Sequence, residues 1–427
     1  MADFVPPDDS KRAYTTGSKK SGEVAKDRYH HSPKPKGTNP RQRPTDAKVD
    51  GRGDARGDGR ADARGDGRAD GRRRNSASAH RPAHRKSERH GRQAYAALDL
   101  GTNNCRLLIA RPSGENFTVI DAFSRVVRLG EGLAGSGRLS DEAMERTLAA
   151  LHVCAEKLRR RHVHLARSVA TEACRRAANG AEFIERVREE TGIALDIISA
   201  QEEARLAVLG CHILLEDGAG PAVIFDIGGG STELVLVEPS GAVPRILDWM
   251  SVPWGVVSLT DTVDGSDDSE ELRLDRYRRM RKTVLDSFRP FAERVREFAK
   301  GPHPIRLLGT SGTVTTLASL HLELPQYDRQ AVDGLILPSV AMRDISVRLS
   351  HMSGVDRRQL PCIGDDRANL VVAGCAILES ILDIWPSETL GVADRGIREG
   401  ILRSLMAADA TGESSRAALQ RMREQDV

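Results

Sequence analysis

A glycine-rich turn between two short apolar runs occurs twice in this chain, and it constrains the fold more than any other feature. The first copy spans Leu98–Ile109 and the second spans Ile224–Leu236. In each copy an apolar run ends in an aspartate, Asp99 or Asp226, and another apolar run follows the turn. Each copy predicts a β-hairpin, and the repetition predicts two similar halves.

The pattern after each hairpin is also shared. The first hairpin is followed by a predicted third strand and then by alternating helices and strands as far as about Leu214. The second is followed by a third strand, a long charged helix over Glu270–Ala299 that we expect to break near Pro290, and further strands and helices. Crossovers of this length permit parallel strand pairing. We predict a mixed α/β fold with two halves facing each other across a cleft.

Composition separates residues 1–92 from the rest of the chain. They contain no Leu, Ile or Trp, so they cannot bury enough apolar surface to offset the entropy of ordering the backbone. They hold 24 Lys or Arg against 13 Asp or Glu, which leaves 40 basic and 48 acidic residues in 93–427. We therefore predict a disordered basic tail on an acidic body.

Two interpretations of this tail stay open. It is either a solvated segment that keeps the protein in solution, or a tether for polyanions such as polyphosphate, RNA or a membrane surface. Residues Gly51–Arg72 alternate Arg and Asp around Gly and Ala, so their charges partly cancel. The positive charge is concentrated in Arg72–Arg74 and Arg81–Arg92.

The chain shows no sign of export or membrane insertion. Its first thirty residues lack the apolar region of a secretory signal, and no apolar run approaches the length of a membrane span. The six cysteines are scattered, without metal-binding spacing. We expect a cytoplasmic protein with reduced thiols.

The two turns have the chemistry of anion sites. Glycine lets the main chain approach an anion closely, and successive N–H groups can form an anion-binding nest. An aspartate at the strand end beside the phosphates would hold Mg²⁺ directly or through water. One such turn is usually an ordinary hairpin, but two that open similar halves indicate phosphate binding. A third turn, Gly309–Thr313, joins a strand to a helix and is either another anion site or a simple cap.

Acidic and basic residues lie between the hairpins. Glu202 and Glu203 open a helix, where both would complement its dipole. They also point about 100° apart, so one can face the cleft and accept a proton from water while the other stays in solvent. Arg175 and Arg176 follow a strand, and an inward arginine would clamp a phosphate. The pattern alone does not distinguish these two arginines.

Taken together, these segments resemble the exopolyphosphatase/guanosine pentaphosphate phosphatase (Ppx/GppA) family. The resemblance extends over about residues 94–405. The matching segments are Asp99–Ile109, Ala170–Asn179, Ser199–Arg205, Asp226–Glu233, Gly309–Thr313 and Asp394–Gly400.

The resemblance implies a fold and an activity. The fold is α/β, with two actin-like (ribonuclease-H-like) ATPase-superfold domains at 93–218 and 219–406 facing a central cleft, and a short tail at 407–427. The activity is Mg²⁺-dependent hydrolysis of terminal phosphoanhydride bonds, which releases orthophosphate from inorganic polyphosphate. Dimers are common in the family, so a homodimer is expected. Longer members continue into an HD-type helical domain, and we expect this chain to be a short form without it.

The resemblance also assigns residues by position. Glu203 is the catalytic base, and Asp99, Asp226 and Glu233 are metal ligands. The predicted phosphate-binding residues are Gly101, Thr102, Asn103, Arg106, Arg175, Gly228, Gly229, Gly230, Ser231, Thr232, Gly309, Ser311 and Gly312.

Three alternatives remain. Within the family, the substrate is guanosine pentaphosphate (pppGpp), hydrolysed at its 5′-phosphate, rather than polyphosphate. The same superfold hosts ATP-dependent sugar and acetate kinases, against which the Glu-Glu-Ala-Arg segment at 202–205 argues. A non-catalytic polyphosphate- or nucleotide-binding sensor is the third, and the complete set of four acidic residues argues against it.

Overall fold

The structure is a computed structural model that describes residues 93–411, apart from 115, 239, 241–242, 264–268 and 302. The predicted disordered tail, residues 1–92, lies outside the described residues, as do residues 412–427 of the predicted C-terminal tail. All of the described residues belong to one compact unit. Among them, no helix is long and apolar enough to cross a membrane.

The first hairpin opens a five-stranded sheet. Strands β1 (Ala94–Leu100), β2 (Asn104–Ser113) and β3 (Asn116–Val126) form an antiparallel meander, and β4 (Val163–Ala170) and β5 (Leu195–Ile197) join in parallel. The strand order is β3-β2-β1-β4-β5. The central strand β1 is buried apart from its half-buried aspartate, which is why it reads as an almost continuous apolar run.

The second hairpin opens a six-stranded sheet with the order β10-β11-β9-β6-β7-β8. Its strands are β6 (Ala222–Ile227), β7 (Thr232–Glu238), β8 (Arg245–Val252), β9 (Arg306–Thr310), β10 (Ile336–Pro338) and β11 (Thr389–Ala393). Apart from the edge strand β10, the order β8-β7-β6-β9-β11 repeats that of the first sheet, with the same antiparallel meander and parallel additions. The predicted duplication is therefore confirmed.

Helices flank both sheets. Those between β3 and β6 are α1 (Leu133–Ser136), α2 (Asp141–Arg160), α3 (Glu172–Arg176), α4 (Gly180–Thr191) and α5 (Ala200–Cys211), with a 3₁₀ turn at His212–Leu214. Those after β8 are α6 (Val256–Thr262), α7 (Glu270–Phe298), α8 (Gly312–His321), α9 (Arg329–Val332), α10 (Ser339–His351), α11 (Gly354–Arg358), α12 (Gly364–Arg367), α13 (Leu370–Ile384) and α14 (Ile397–Ala410).

Helix α7 corrects one prediction. It runs without interruption through Pro290, so the predicted break is wrong. An interior proline costs a helix about 3 kcal/mol. Around this proline the apolar face of α7 is buried in the core of the second half, through Phe288, Phe291 and Val295. Each of these side chains contributes about 1.5–3 kcal/mol on burial, so the three together exceed the cost of the proline.

The last helix crosses from one half to the other. Strand β11 belongs to the second sheet, whereas α14 packs on the first, where Ile401 and Leu402 share a core with Tyr95 and Leu206. The helix ends at Ala410, beyond the predicted end of the second domain at residue 406. The segment Asp394–Arg398, made of the three residues after β11 and the first two of α14, therefore spans the cleft. The domain boundaries at 93–218 and 219–406 stay a prediction.

Candidate active site

A cavity lies where the two hairpin turns meet. Most of the predicted site residues line it. They are Asp99, Gly101, Thr102, Asn103, Arg106, Glu203, Asp226, Gly228, Gly229, Gly230, Ser231, Glu233 and Ser311. These residues come from both halves of the chain, so the cavity exists because the two hairpins face each other.

Each hairpin turn is closed by its own main chain. The N–H of Gly101 donates to the carbonyl of Asn104 at 2.9 Å, and the N–H of Gly228 donates to that of Ser231 at 3.0 Å. Within the described part of the chain, the N–H groups of Gly229 and Gly230 make no hydrogen bond. Main-chain donors that line a cavity in this way are available to an anion.

The second turn also requires glycine for a reason that the sequence did not reveal. A Cβ at Gly230 would lie 2.5 Å from Oγ1 of Thr102 and 2.9 Å from Cγ of Glu172, both in the first half. A Cβ at Gly229 would lie 3.0 Å from Cβ of Thr102. The two halves thus touch directly at the glycine turns, and a side chain there would separate them.

We predict that Gly230→Ala lowers kcat/KM about 10²-fold, because misplacing reacting groups by about an ångström has an effect of that size. The measurement is phosphate release at several substrate concentrations. Gly135→Ala is the matched control, since a Cβ at Gly135 in α1 would meet no atom within 4 Å. Equal activity of the two variants would contradict this account of the turn.

Helix α5 separates the two adjacent glutamates. Ser199 caps it, its hydroxyl accepting from the N–H of Glu202 at 3.1 Å. Glu203 lines the cavity. Glu202 points the other way and is fully buried in an ion pair, with Oε1 2.7 Å from Nη1 of Arg167 and Oε2 2.5 Å from Nε of Arg205. The expectation that the glutamate pointing away from the cleft stays in solvent is therefore wrong, because Glu202 is buried.

The predicted phosphate clamp Arg175 lies behind the glutamate rather than on the cavity wall. Its Nη1 donates to Oε2 of Glu203 at 3.1 Å and to the carbonyl of Ile198 at 2.7 Å. Its Nη2 donates to Oε2 of Glu172 at 2.7 Å. In this arrangement Arg175 orients Glu203, and its role as a phosphate clamp stays a prediction. The reason is the three-dimensional proximity of α3 and α5, which a local pattern does not contain.

Three further predicted residues lie outside this cavity. The hydroxyl of Thr232 donates to the carbonyl of Trp254 at 2.6 Å, which makes it a structural contact. A Cβ at Gly309 would lie 2.6 Å from the ring of Phe225, so this glycine allows β9 to pack. Gly312 lines a neighbouring cavity together with Arg367.

The carboxyl groups of the cavity have raised pKa values. Removal from water and repulsion by Glu233 raise the pKa of Glu203 well above its usual range, against the lowering effect of Arg175. Burial raises the pKa of Glu233 to about 7 and that of Asp226 to about 6. Burial also raises the pKa of Asp99. A cation in the cavity would relieve this concentration of acidic groups.

The acidic side chains of this cavity include an unused oxygen of the kind that a magnesium ion requires. Oδ1 of Asp226 is buried and accepts no hydrogen bond from the described residues, so a ligating oxygen is unused. In the same part of the chain, no three His, Cys, Asp or Glu side chains form a metal cluster. Mg²⁺ usually binds through one or two carboxylates and completes its shell with water and substrate phosphate. The donor set fits that manner of binding.

A strained residue supports the Asp226 side chain. Ser311 has φ 81° and ψ −175°, a region that residues other than glycine rarely occupy. Its side chain counteracts part of the rise that burial causes in the pKa of the Asp226 carboxyl. Such strain is concentrated at functional sites.

Sequence reasoning missed part of the cavity wall. The missed residues are Asn104, Thr171, Glu172, Thr310, Asp394, Arg395, Gly396, Ile397 and Arg398. Arg398 is the main omission, since its charge, together with burial, lowers the pKa of Arg106 beside Asp99. Residues 394–398 follow the parallel strand β11, and the carboxyl ends of parallel strands are where ligands bind. That signal was present in the sequence.

Comparison with known proteins identifies relatives over most of the described chain. The profile of the Ppx/GppA phosphatase family matches residues 108–409. Exopolyphosphatase 2 of Mycobacterium tuberculosis is 31% identical over 328 residues, which are 73% of this chain and 98% of that protein.

Solved structures of related proteins have the same fold as this chain. The Aquifex aeolicus member of the Ppx/GppA family has 29% sequence identity and a TM-score of 0.60, and the match covers 74% of this chain and 98% of that one. An exopolyphosphatase from Cytophaga hutchinsonii has a TM-score of 0.65 at 23% identity, with 76% and 99% of the chains covered. The predicted fold, an α/β protein with two actin-like halves, is confirmed.

Proposed function

Because the chain belongs to the Ppx/GppA phosphatase family, we propose that it hydrolyses the terminal phosphoanhydride bond of inorganic polyphosphate and releases orthophosphate. Enzymes of this family are phosphoanhydride hydrolases, which favours hydrolysis over the kinase alternative. The observation that carries the proposal is the position of Glu203, whose carboxylate lines the cavity formed by the two glycine turns. The polyphosphate substrate is favoured by the exopolyphosphatase relative.

Hydrolysis at this site needs a water molecule in line with the bond that breaks. Glu203 orients this water and accepts its proton as the general base. Arg175 holds the carboxylate at 3.1 Å and so fixes its direction. The main-chain donors of both turns and the side chains of Arg106 and Arg398 offset negative charge on the phosphoryl oxygens.

We place Mg²⁺ at Asp226, with Glu233 and Asp99 as further ligands or as acceptors for its bound water. When bound, Mg²⁺ neutralises charge on the transferring and leaving phosphate oxygens. The serine hydroxyls of Ser231 and Ser251 donate to Oε1 of Glu233 at 2.7 and 2.8 Å and hold that carboxylate in place.

The neighbouring cavity, which Gly312 and Arg367 line, offers room for the remainder of the polyphosphate substrate. It shares Asn103, Arg106 and Gly228 with the first cavity and continues to Gly312. Arg367 lines it, with Nη1 3.0 Å from Oγ1 of Thr316. An arginine beside a helix N-terminus suits the next phosphates of the substrate.

We predict Mg²⁺-dependent phosphate release from polyphosphate, abolished when excess EDTA removes the metal. The measurement is orthophosphate release from polyphosphate of several lengths and from pppGpp, with and without EDTA. A clear preference for pppGpp would replace the proposed substrate by the alternative within the family. Binding of polyphosphate without any release would support the sensor alternative and contradict hydrolysis.

Other expectations stay predictions. They are the homodimer, the cytoplasmic location and the binding of polyanions by residues 1–92. The reduced state of the six thiols is a further prediction of this kind.

A further inference from the structure

A further cavity, separate from the two described above, lies on the other side of the segment Asp394–Arg398. Its volume is about 370 Å³. Its wall combines residues of β3, α9, α14 and the 3₁₀ turn after α5, namely Asn116, Phe117, Val119, Ile213, Arg329, Asp333, Arg395, Glu399 and Arg403. Arg395 lines both this cavity and the substrate cavity.

The carboxylates of this cavity are already satisfied by the protein. Both oxygens of Asp333 accept, one from Nε of Arg395 at 2.7 Å and the other from the N–H of Asp394 at 3.0 Å. Oε1 of Glu399 accepts from Arg329 at 2.9 Å, and Oε2 accepts from the N–H of Gly396 at 2.9 Å. These acidic groups are thus engaged in fixing the segment.

Two arginines keep unused donors. Arg395 uses its Nε, and its terminal amino groups make no hydrogen bond within the described residues. Arg403 has no carboxylate partner in the described part of the chain, and its Nη2 reaches Oδ1 of Asn116 at a long 3.3 Å. Its Nε is buried without a hydrogen-bond partner among those residues. A cavity whose carboxylates are already hydrogen-bonded and whose guanidinium groups keep unused donors favours an anion, and phosphate in particular.

The remaining wall is apolar and partly aromatic. The ring of Phe117 lies under the Arg403 guanidinium, 5.8 Å from its centroid. Val119 and Ile213 are large apolar side chains that stay 42% and 45% exposed. We propose that this cavity binds a phosphate ester with a flat or apolar body, of the size of a nucleoside monophosphate. Its volume lies within the range of small-molecule sites, about 300–1,000 Å³.

A ligand at this site would act on the catalytic cavity through one segment. Arg395 lies on both walls, and Asp394 and Arg398 of the same segment line the substrate cavity. An anion that draws the Arg395 guanidinium away from Asp333 would shift this segment. The coupling rests on the proposed function, whereas the binding does not.

The test is equilibrium binding of AMP, adenosine and orthophosphate to the full chain by titration calorimetry. AMP has no phosphoanhydride bond, so turnover does not interfere. We expect AMP to bind, and Arg403→Gln to weaken it about ten- to hundredfold, as the loss of a charged hydrogen bond does. Phe117→Leu should weaken the binding of AMP but not the binding of orthophosphate. Arg188→Gln, at an exposed site on α4, is the matched control and should bind as the wild type does.

The possible results divide clearly. Orthophosphate binding that depends on Arg403 and equals AMP binding would assign the site to inorganic phosphate and overturn the ester. AMP binding lost in Arg106→Gln but kept in Arg403→Gln would place AMP in the substrate cavity and overturn the second site. No binding of any probe at millimolar concentration would overturn it as well. Because none of these readouts uses turnover, they are independent of the proposed hydrolysis.

Discussion

Replacing Glu203 by glutamine should lower kcat by about 10²–10⁴-fold, the usual loss when a general base is removed. Glutamine keeps the shape of the side chain, and its amide oxygen can still accept from Nη1 of Arg175, which lies 3.1 Å from the carboxylate. It cannot take a proton from water. The change therefore removes the proton acceptor and leaves the cavity intact.

The measurement is orthophosphate release from polyphosphate at saturating substrate and Mg²⁺, with KM and polyphosphate binding determined in parallel. We expect binding to change little, because the turns and arginines proposed to contact phosphate are untouched. Glu190→Gln, on the exposed face of α4, is the matched control and should keep wild-type kcat. A Glu203→Gln enzyme with near wild-type kcat would remove Glu203 from the mechanism.

Replacing the neighbouring Glu202 by glutamine should lower the free energy of unfolding by about 3–5 kcal/mol, because it breaks a buried ion pair from one side. Both side chains of the Arg167–Glu202 pair are 0% exposed. Without the carboxylate, the Arg167 guanidinium loses its ion pair with Glu202 while it stays buried. Arg205 lies at the rim of the same group, 32% exposed, and can turn to solvent.

Urea denaturation measures this loss. Glu190→Gln is again the control, since it breaks an exposed pair with Arg186 that contributes about 0–1 kcal/mol. Glu202 does not line the cavity, so the folded Glu202→Gln enzyme should keep most of its turnover. A stability loss no larger than that of the control would show that the pair contributes nothing beyond a surface contact.

The same substitution at two adjacent glutamates is thus expected to have different effects. At Glu203 it lowers kcat, and at Glu202 it lowers the free energy of unfolding. This contrast follows from the helix, where side chains of consecutive residues point about 100° apart. The sequence predicted that they diverge and, through the family resemblance, that Glu203 faces the cleft. It did not predict where Glu202 goes, because Arg167 is 35 residues away and lies on β4.

The sequence alone determined the features that depend on local pattern. The glycine turns at Gly101–Asn104 and Gly228–Thr232, the strands on either side and the duplicated order of elements were all predicted from residues close to one another in the chain. Apolar periodicity and turn chemistry act over a few residues, which is why such features are legible without a structure.

Only the tertiary structure decided the features that depend on contacts between distant segments. Arg175 holds Glu203 because α3 lies near the start of α5, and Gly230 is required because Thr102 and Glu172 of the other half lie against it. Residues 394–398 reach the substrate cavity because α14 returns to the first sheet. The physical reason is that burial and ion pairing are set by which surfaces meet, and no local pattern in one segment specifies its partner.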